Sequence, residues 1–135
     1  MLRTVVHRHT LADGSWHYDW MLEPPTKDGS SGWGADDRVL ITFRVSVLPG
    51  DCVEKAFDAE RIEAHRAAYL EIVSRELDGR RGRVERVAEG IWEPEEMSEA
   101  EIRLAMDFGG GWVSLEGRAV EDESEGRWRF VPRMG

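Results

Sequence analysis

Val5–Glu23 reads VVHRHTLADGSWHYDWMLE, and its reading decides how the rest of the chain is understood. Three of the four histidines, His7, His9 and His17, fall within it, and Asp19 alternates in phase with them. Thr4–His9 and His17–Glu23 alternate in character, which predicts two strands. Ala12–Ser15 (ADGS) between them is a turn signal. Residues of one parity share a face of a strand. His7 and His9 therefore point one way on the first strand. His17, Asp19, Met21 and Glu23 share one face of the second, while Tyr18, Trp20 and Leu22 form an apolar face suited to a core.

Register decides whether the two polar faces coincide. A loop centred on Asp13 opposes His9 to His17 and His7 to Asp19, and directly opposed residues share a face. A two-residue turn at Asp13-Gly14 would oppose His9 to Tyr18 and scatter the set. An odd loop of about three or five residues is thus required, with Gly14 in the left-handed position. In that register His9, His17 and Asp19 form a two-histidine, one-carboxylate set with open positions. Such a set suits a divalent transition metal: Mn, Zn or Fe. His7 takes a flanking role. Any single histidine reads more simply as an exposed strand residue; it is the shared phase with Asp19 that favours a site. His65 and Tyr69 lie four residues apart, on one side whether the segment is helical or extended. An imidazolium and a phenol can hydrogen-bond a phosphate, and core packing is the plainer role for Tyr69.

Outward from the hairpin, Pro24–Ala35 is a Gly-, Ser- and Pro-rich loop. Arg38–Leu48 is rich in β-branched residues and is the clearest strand, closed by Pro49-Gly50. Asp58–Leu77 is ambiguous: its Ala, Glu and Arg content favours helix, yet Tyr69–Val73 also reads as a strand. Asp78–Gly82 is a turn. Arg83–Val87 and Gly90–Glu93 read as short strands, as does Glu101–Phe108. Gly109–Gly111 turns into Trp112–Leu115, which Glu116–Val120 extends. Arg127–Pro132 is a last strand, with Trp128 and Phe130 on the side opposite Arg127 and Arg129. Many short strands and Gly turns predict a mainly β fold, an antiparallel sandwich or barrel with short helical segments.

The length of 135 residues predicts a single domain, 1–135. No apolar run approaches the roughly 20 residues of a membrane span, and Arg3 and His7 interrupt any signal-peptide pattern. A single cysteine, Cys52, excludes an intramolecular disulfide and disfavours a cysteine zinc site. These features favour a cytoplasmic location. Net charge is −9, which argues against a broad electrostatic grip on nucleic acid. The charge is uneven: Arg75–Arg86 (RELDGRRGRVER) is a basic strip, and Glu93–Glu101 and Glu121–Glu125 are acidic. The six tryptophans fit core and rim anchors better than a base-stacking platform.

His9, followed by His17-Tyr18-Asp19-Trp20-Met21-Leu22-Glu23, resembles the signature of the 3′-phosphoesterase domain of bacterial DNA ligase D. Three later stretches resemble that family in order: His65-x-x-x-Tyr69-Leu70, Gly79–Glu93, and Leu115–Phe130. The resemblance covers most of the chain. It implies a compact antiparallel β-barrel with the site inside or at one mouth. It also implies a manganese-dependent enzyme that removes a 3′-ribonucleotide and then a 3′-phosphate at a primer–template. Carried over, His9, His17 and Asp19 hold the metal, with Mn2+ expected and Zn2+ the alternative. His65 and Tyr69 contact the scissile phosphate, and His17 and the His65–Tyr69 pair are the catalytic set. The chain departs from the family at Met21, where the family has a phosphate-binding arginine. The spacing from His9 to His17 is about two residues longer, and Val47 and Phe57 stand near two basic positions. Arg44, Lys55 and the arginines of Arg80–Arg86 are the candidate replacements.

Three readings follow. The first is a phosphoesterase healing nucleic-acid 3′ ends in DNA repair, with any ligase or polymerase partner a separate protein. The second is a non-catalytic relative that binds metal or phosphate, or docks a repair partner; Met21 and the negative charge motivate it. The third is a small-ligand barrel in which the histidines are incidental.

Overall fold

The computed structural model describes residues 1–26, 32–51, 55–121 and 126–133. Cys52, the middle of the loop read at 24–35, and most of the acidic stretch 121–125 lie outside the described residues. Nine strands run in chain order: β1 Leu2–Thr10, β2 Trp16–Leu22, β3 Arg38–Val45, β4 Phe57–Arg66, β5 Ser74–Glu76, β6 Arg83–Met97, β7 Glu101–Asp107, β8 Val113–Ala119 and β9 Arg127–Arg133. Two 3-10 turns, Pro49–Asp51 and Ala67–Glu71, are the helical segments among the described residues.

All pairings are antiparallel. The order β1-β2-β3-β4-β9-β8-β7-β6 closes through a β1–β6 pairing into an eight-stranded barrel. The strand β6 spans the two stretches read separately at 83–87 and 90–93, because it changes partners along its length. Its first half pairs with β1 on one edge and β5 on the other, and its second half pairs with β7.

The barrel interior collects one parity from every strand of the closed ring. Val6, Trp20, Leu22, Phe43, Trp92, Leu104, Leu115, Trp128 and Phe130 are all buried there. Trp20 and Phe43 each pack edge-on against Phe130, at ring separations of 5.1 and 5.0 Å. Such aromatic pairs add roughly 0.5–1.5 kcal/mol each beyond the area they bury. Room for Phe130 comes from Gly117 directly opposite; a Cβ there would lie 2.4 Å from the ring. The tryptophans at 20, 92 and 128 are core residues, while Trp16 and Trp112 are exposed.

The segment 58–66 is strand, not helix. Phe57 and Ala59 are buried and alternate with exposed Asp58 and Glu60, and β3 and β9 supply hydrogen bonds on both edges. Tertiary pairing overrides the helix propensity of its Ala and Glu content. Residues 69–73 are likewise not a strand but the end of a 3-10 turn and its exit.

A second, smaller apolar cluster lies on the outer face of the β1–β3 wall: Val5, Met21, Leu40 and Leu70. Leu70 belongs to the Ala67–Glu71 turn, which lies over that face. The turn's C-terminal carbonyls need donors from elsewhere. Arg3 Nη2 and Arg86 Nη1 donate to Leu70 O at 3.0 and 3.3 Å, and His7 Nε2 donates to Ile72 O at 3.2 Å. The segment from 67 to 82 is thereby fastened as a cover over the outer wall.

Candidate metal centre

The first hairpin has the odd register. Leu11 N–H donates to Ser15 O at 2.7 Å, closing a five-residue loop with Gly14 at φ 89°. His9 stands opposite His17, and His7 opposite Asp19. The polar face therefore coincides across β1 and β2, as the parity argument requires. It lies on the outside of the barrel beneath the 67–82 cover, and not inside or at a mouth. The interior parity is already filled by Val6, Tyr18, Trp20 and Leu22.

Asp19 is almost completely buried and sits between two imidazoles. His17 Nε2 is 3.1 Å from Asp19 Oδ1, and His9 Nδ1 is 3.6 Å from Asp19 Oδ2. The His17–Asp19 approach lacks hydrogen-bond alignment, so His17 Nε2 and Asp19 Oδ1 are buried polar atoms without a hydrogen-bond partner. Leaving such atoms unpaired is costly, and a cation between them would satisfy both. The ligand atoms of His9, His17 and Asp19 lie within 4.8 Å of one another. Bonds of about 2.0–2.2 Å put donor atoms at most about 4.4 Å apart, so only a small side-chain adjustment is needed. The donor set of two imidazoles and one carboxylate fits a divalent transition ion.

The outer hydrogen bonds are also in place. His9 Nε2 lies 2.6 Å from Arg81 O. A carbonyl only accepts, so Nε2 carries a proton, and Nδ1 is the ring nitrogen turned toward Asp19. Donation of the second ring N–H to a backbone carbonyl is the usual way a metal-ligating histidine is oriented. Burial, the main cause, lowers the pKa of His17; Asp19 opposes that shift, and Arg44 and His9 add to it. The neutral, ligating form of His17 is thus favoured.

His7 flanks the trio from a fully buried position. Burial pushes its pKa down from 6.5 to about 4, against the raising effect of its bond to Ile72 O. Nδ1 of His7 has no partner, but its Nε2 is committed to the cover, so its place is structural.

His65 reaches the same outer face by an irregularity. Thr42 pairs with Ile62, but Leu40 pairs with His65, so β4 carries one extra residue between them. A bulge of this kind re-aims side chains and sets His65 beside Leu40, over the outer wall. Its Nδ1 donates to Glu63 O at 3.1 Å, which directs Nε2 elsewhere. The rings of His65 and Tyr69 meet edge-on at 5.0 Å. A cavity of about 230 Å³ is lined by His9, Asp19, His65, Tyr69 and Arg81 together with the apolar Leu11, Leu77 and Val84. The structure thus brings His9, Asp19, His65 and Tyr69 to one space, with His17 bound into the trio.

Arg44 and Met21 lie elsewhere. Arg44 is opposite Asp19 on β3 but lines a different cleft, shared with His17 and Trp16. Met21 is fully buried under Leu70, where it helps seat the Ala67–Glu71 turn. Of the arginines in 80–86, Arg86 is committed to Leu70 O and to Glu89 at 3.3 Å. Arg81 stands in the cavity wall. Within the arginine run no sequence signal singles it out, because its contact to His9 is made by the backbone. Among the described residues, no helix is long and apolar enough to cross a membrane. No protein-family model matches the sequence, and no curated protein matches it.

Proposed function

We propose that the protein is a metal-dependent phosphoesterase acting on nucleic-acid 3′ ends, removing a 3′-phosphate or a terminal 3′-ribonucleotide. The observation that carries this reading is the one cavity that His9, Asp19, His65 and Tyr69 line together. A divalent cation at the trio, manganese first and zinc second, would supply Lewis acidity toward a phosphoryl oxygen. His65 and Tyr69 bind and orient the phosphoryl group, and their hydrogen bonds strengthen as charge develops on its oxygens. Arg81 also lines this cavity, with its Nε donating to Asp78 O at 2.8 Å, and is the arginine that would stand in for the one Met21 replaces. Arg44 adds positive charge on the His17 side. The bond from phosphorus to the sugar oxygen breaks as a water oxygen bonds to phosphorus, and one water proton ends on the released hydroxyl.

The test is release of inorganic phosphate from a 3′-phosphorylated primer–template with Mn2+. Release that Asp19→Ala abolishes, and that His65→Ala and Tyr69→Phe reduce, supports the reading; no release by the manganese-loaded protein sinks it. A barrel that binds metal and phosphate without turnover is the second reading, favoured by the buried Met21. Manganese and oligonucleotide binding without release would select it.

A further inference from the structure

Next to the metal cavity lies an open groove of about 440 Å³ whose walls include Arg38, Arg66 and Arg81. His65, Tyr69 and Arg81 line both spaces, so the groove and the cavity are neighbours across one pair of side chains. Arg38 and Arg66 are directly opposed on β3 and β4. Like charges placed opposite each other across a strand pair are destabilising, and an anion between them relieves that repulsion. Arg66 approaches Asp36 at 3.6 Å, but that carboxylate is almost fully exposed and such a contact holds the guanidinium weakly. Arg38 has no ion-pair partner among the described residues. Glu63 and Asp78 also border the groove, and Arg81 Nε donates to Asp78 O at 2.8 Å, so Arg38 and the weakly held Arg66 are the guanidiniums the groove leaves open to an anion.

We infer that this groove holds a second phosphate, next in line to the one at the metal, so that the substrate is an oligonucleotide end and not a phosphorylated mononucleoside. The identity of the first phosphate rests on the function proposed above; the anion-binding character of the groove does not. Two anion positions separated by one His–Tyr pair suit successive phosphates of one strand. Glu63 and Asp78 are then placed to accept hydrogen bonds from sugar hydroxyls or base amino groups.

The test compares a short 3′-phosphorylated oligothymidylate with thymidine 3′-monophosphate, using the wild-type chain, Arg38→Ala, Arg66→Ala, and the lysine variants as folding controls. In the alanine variants KM for the oligonucleotide is expected to rise about tenfold at unchanged kcat, with mononucleotide turnover unaffected. Oligonucleotide binding should also lose about 0.7 of its log–log salt slope per phosphate contact removed. The lysine variants should retain most of the effect. Equal losses on both substrates, or none on either, would overturn the inference. Failure of the phosphoesterase reading looks different: the wild-type chain then releases phosphate from neither substrate. In that event binding of a fluorescent 3′-phosphorylated oligonucleotide decides the groove. About tenfold weaker binding by the Arg38→Ala, Arg66→Ala double variant supports it, and unchanged binding rejects it.

Discussion

The ring of His9 donates its Nε2 proton to the carbonyl of Arg81 at 2.6 Å, 72 residues further along the chain. That bond joins the first hairpin to the cover that closes over it. It fixes which nitrogen of His9 faces Asp19, so the ligand set depends on the 77–82 turn as well as on β1 and β2.

Gly82 controls how closely that turn approaches. It has φ 91°, and a Cβ there would lie 2.0 Å from Thr10 O. Gly82→Ala is therefore expected to lift the turn off the hairpin and break the His9–Arg81 bond. Loss of such an outer hydrogen bond typically costs 10–100-fold in metal affinity, so a Mn2+ titration should show a loss of about that size. Unchanged affinity would mean that His9 is oriented in some other way.

Met21 stands where the family that the hairpin sequence resembles has an arginine. Its side chain is fully buried against Val5, Leu40 and Leu70. Met21→Arg is expected to destabilise the chain by about 2–4 kcal/mol, because an unpaired charge would enter an apolar cluster. Urea unfolding measures this. A variant as stable as wild type and more active would show that the cluster has room for a guanidinium.

The two strands of the hairpin and their faces were legible in the sequence because the strand period is two, whereas the register turned on a loop length that the structure supplies. His9, His17 and Asp19 followed on the condition of an odd loop, which the five residues from Leu11 to Ser15 meet. The position of His65 was not legible, since the extra residue between Ile62 and His65 is set by pairing with β3. The 58–66 segment misled for the same reason: its propensity is local, and its partners are far away in sequence. Arg81 acts on His9 through a carbonyl, which every residue possesses, so side-chain chemistry carries no signal of it. The packing role of Met21 also required the fold, because Leu70 comes to it from another part of the chain. The placement of the site outside the barrel emerges only when the interior parity is seen to be full.

Acid should weaken the metal-free fold in a defined window. The pKa of His7 is lowered from 6.5 to about 4 by burial. The unfolded chain takes up this proton below 6.5 while the folded chain resists it until about 4. Stability is therefore complete above about pH 6.5, falls as pH decreases, and levels off near pH 4 as far as His7 is concerned. The loss is about 3 kcal/mol at most. His7→Gln keeps a donor for Ile72 O and removes the titration. Urea midpoints at about pH 7 and pH 4.5 should differ less in that variant, with a remainder from His17. An identical difference in both chains would assign the acid sensitivity to other groups.

The central claim is a single metal site made by His9, His17 and Asp19. Its most direct test is electron paramagnetic resonance titration of the wild-type chain with Mn2+, alongside Asp19→Ala and His17→Ala. Each wild-type chain should remove one equivalent of Mn2+ from the free-ion signal, and both variants should leave that signal undiminished. Equal uptake by wild type and variants, or no uptake at neutral pH, would contradict the assignment.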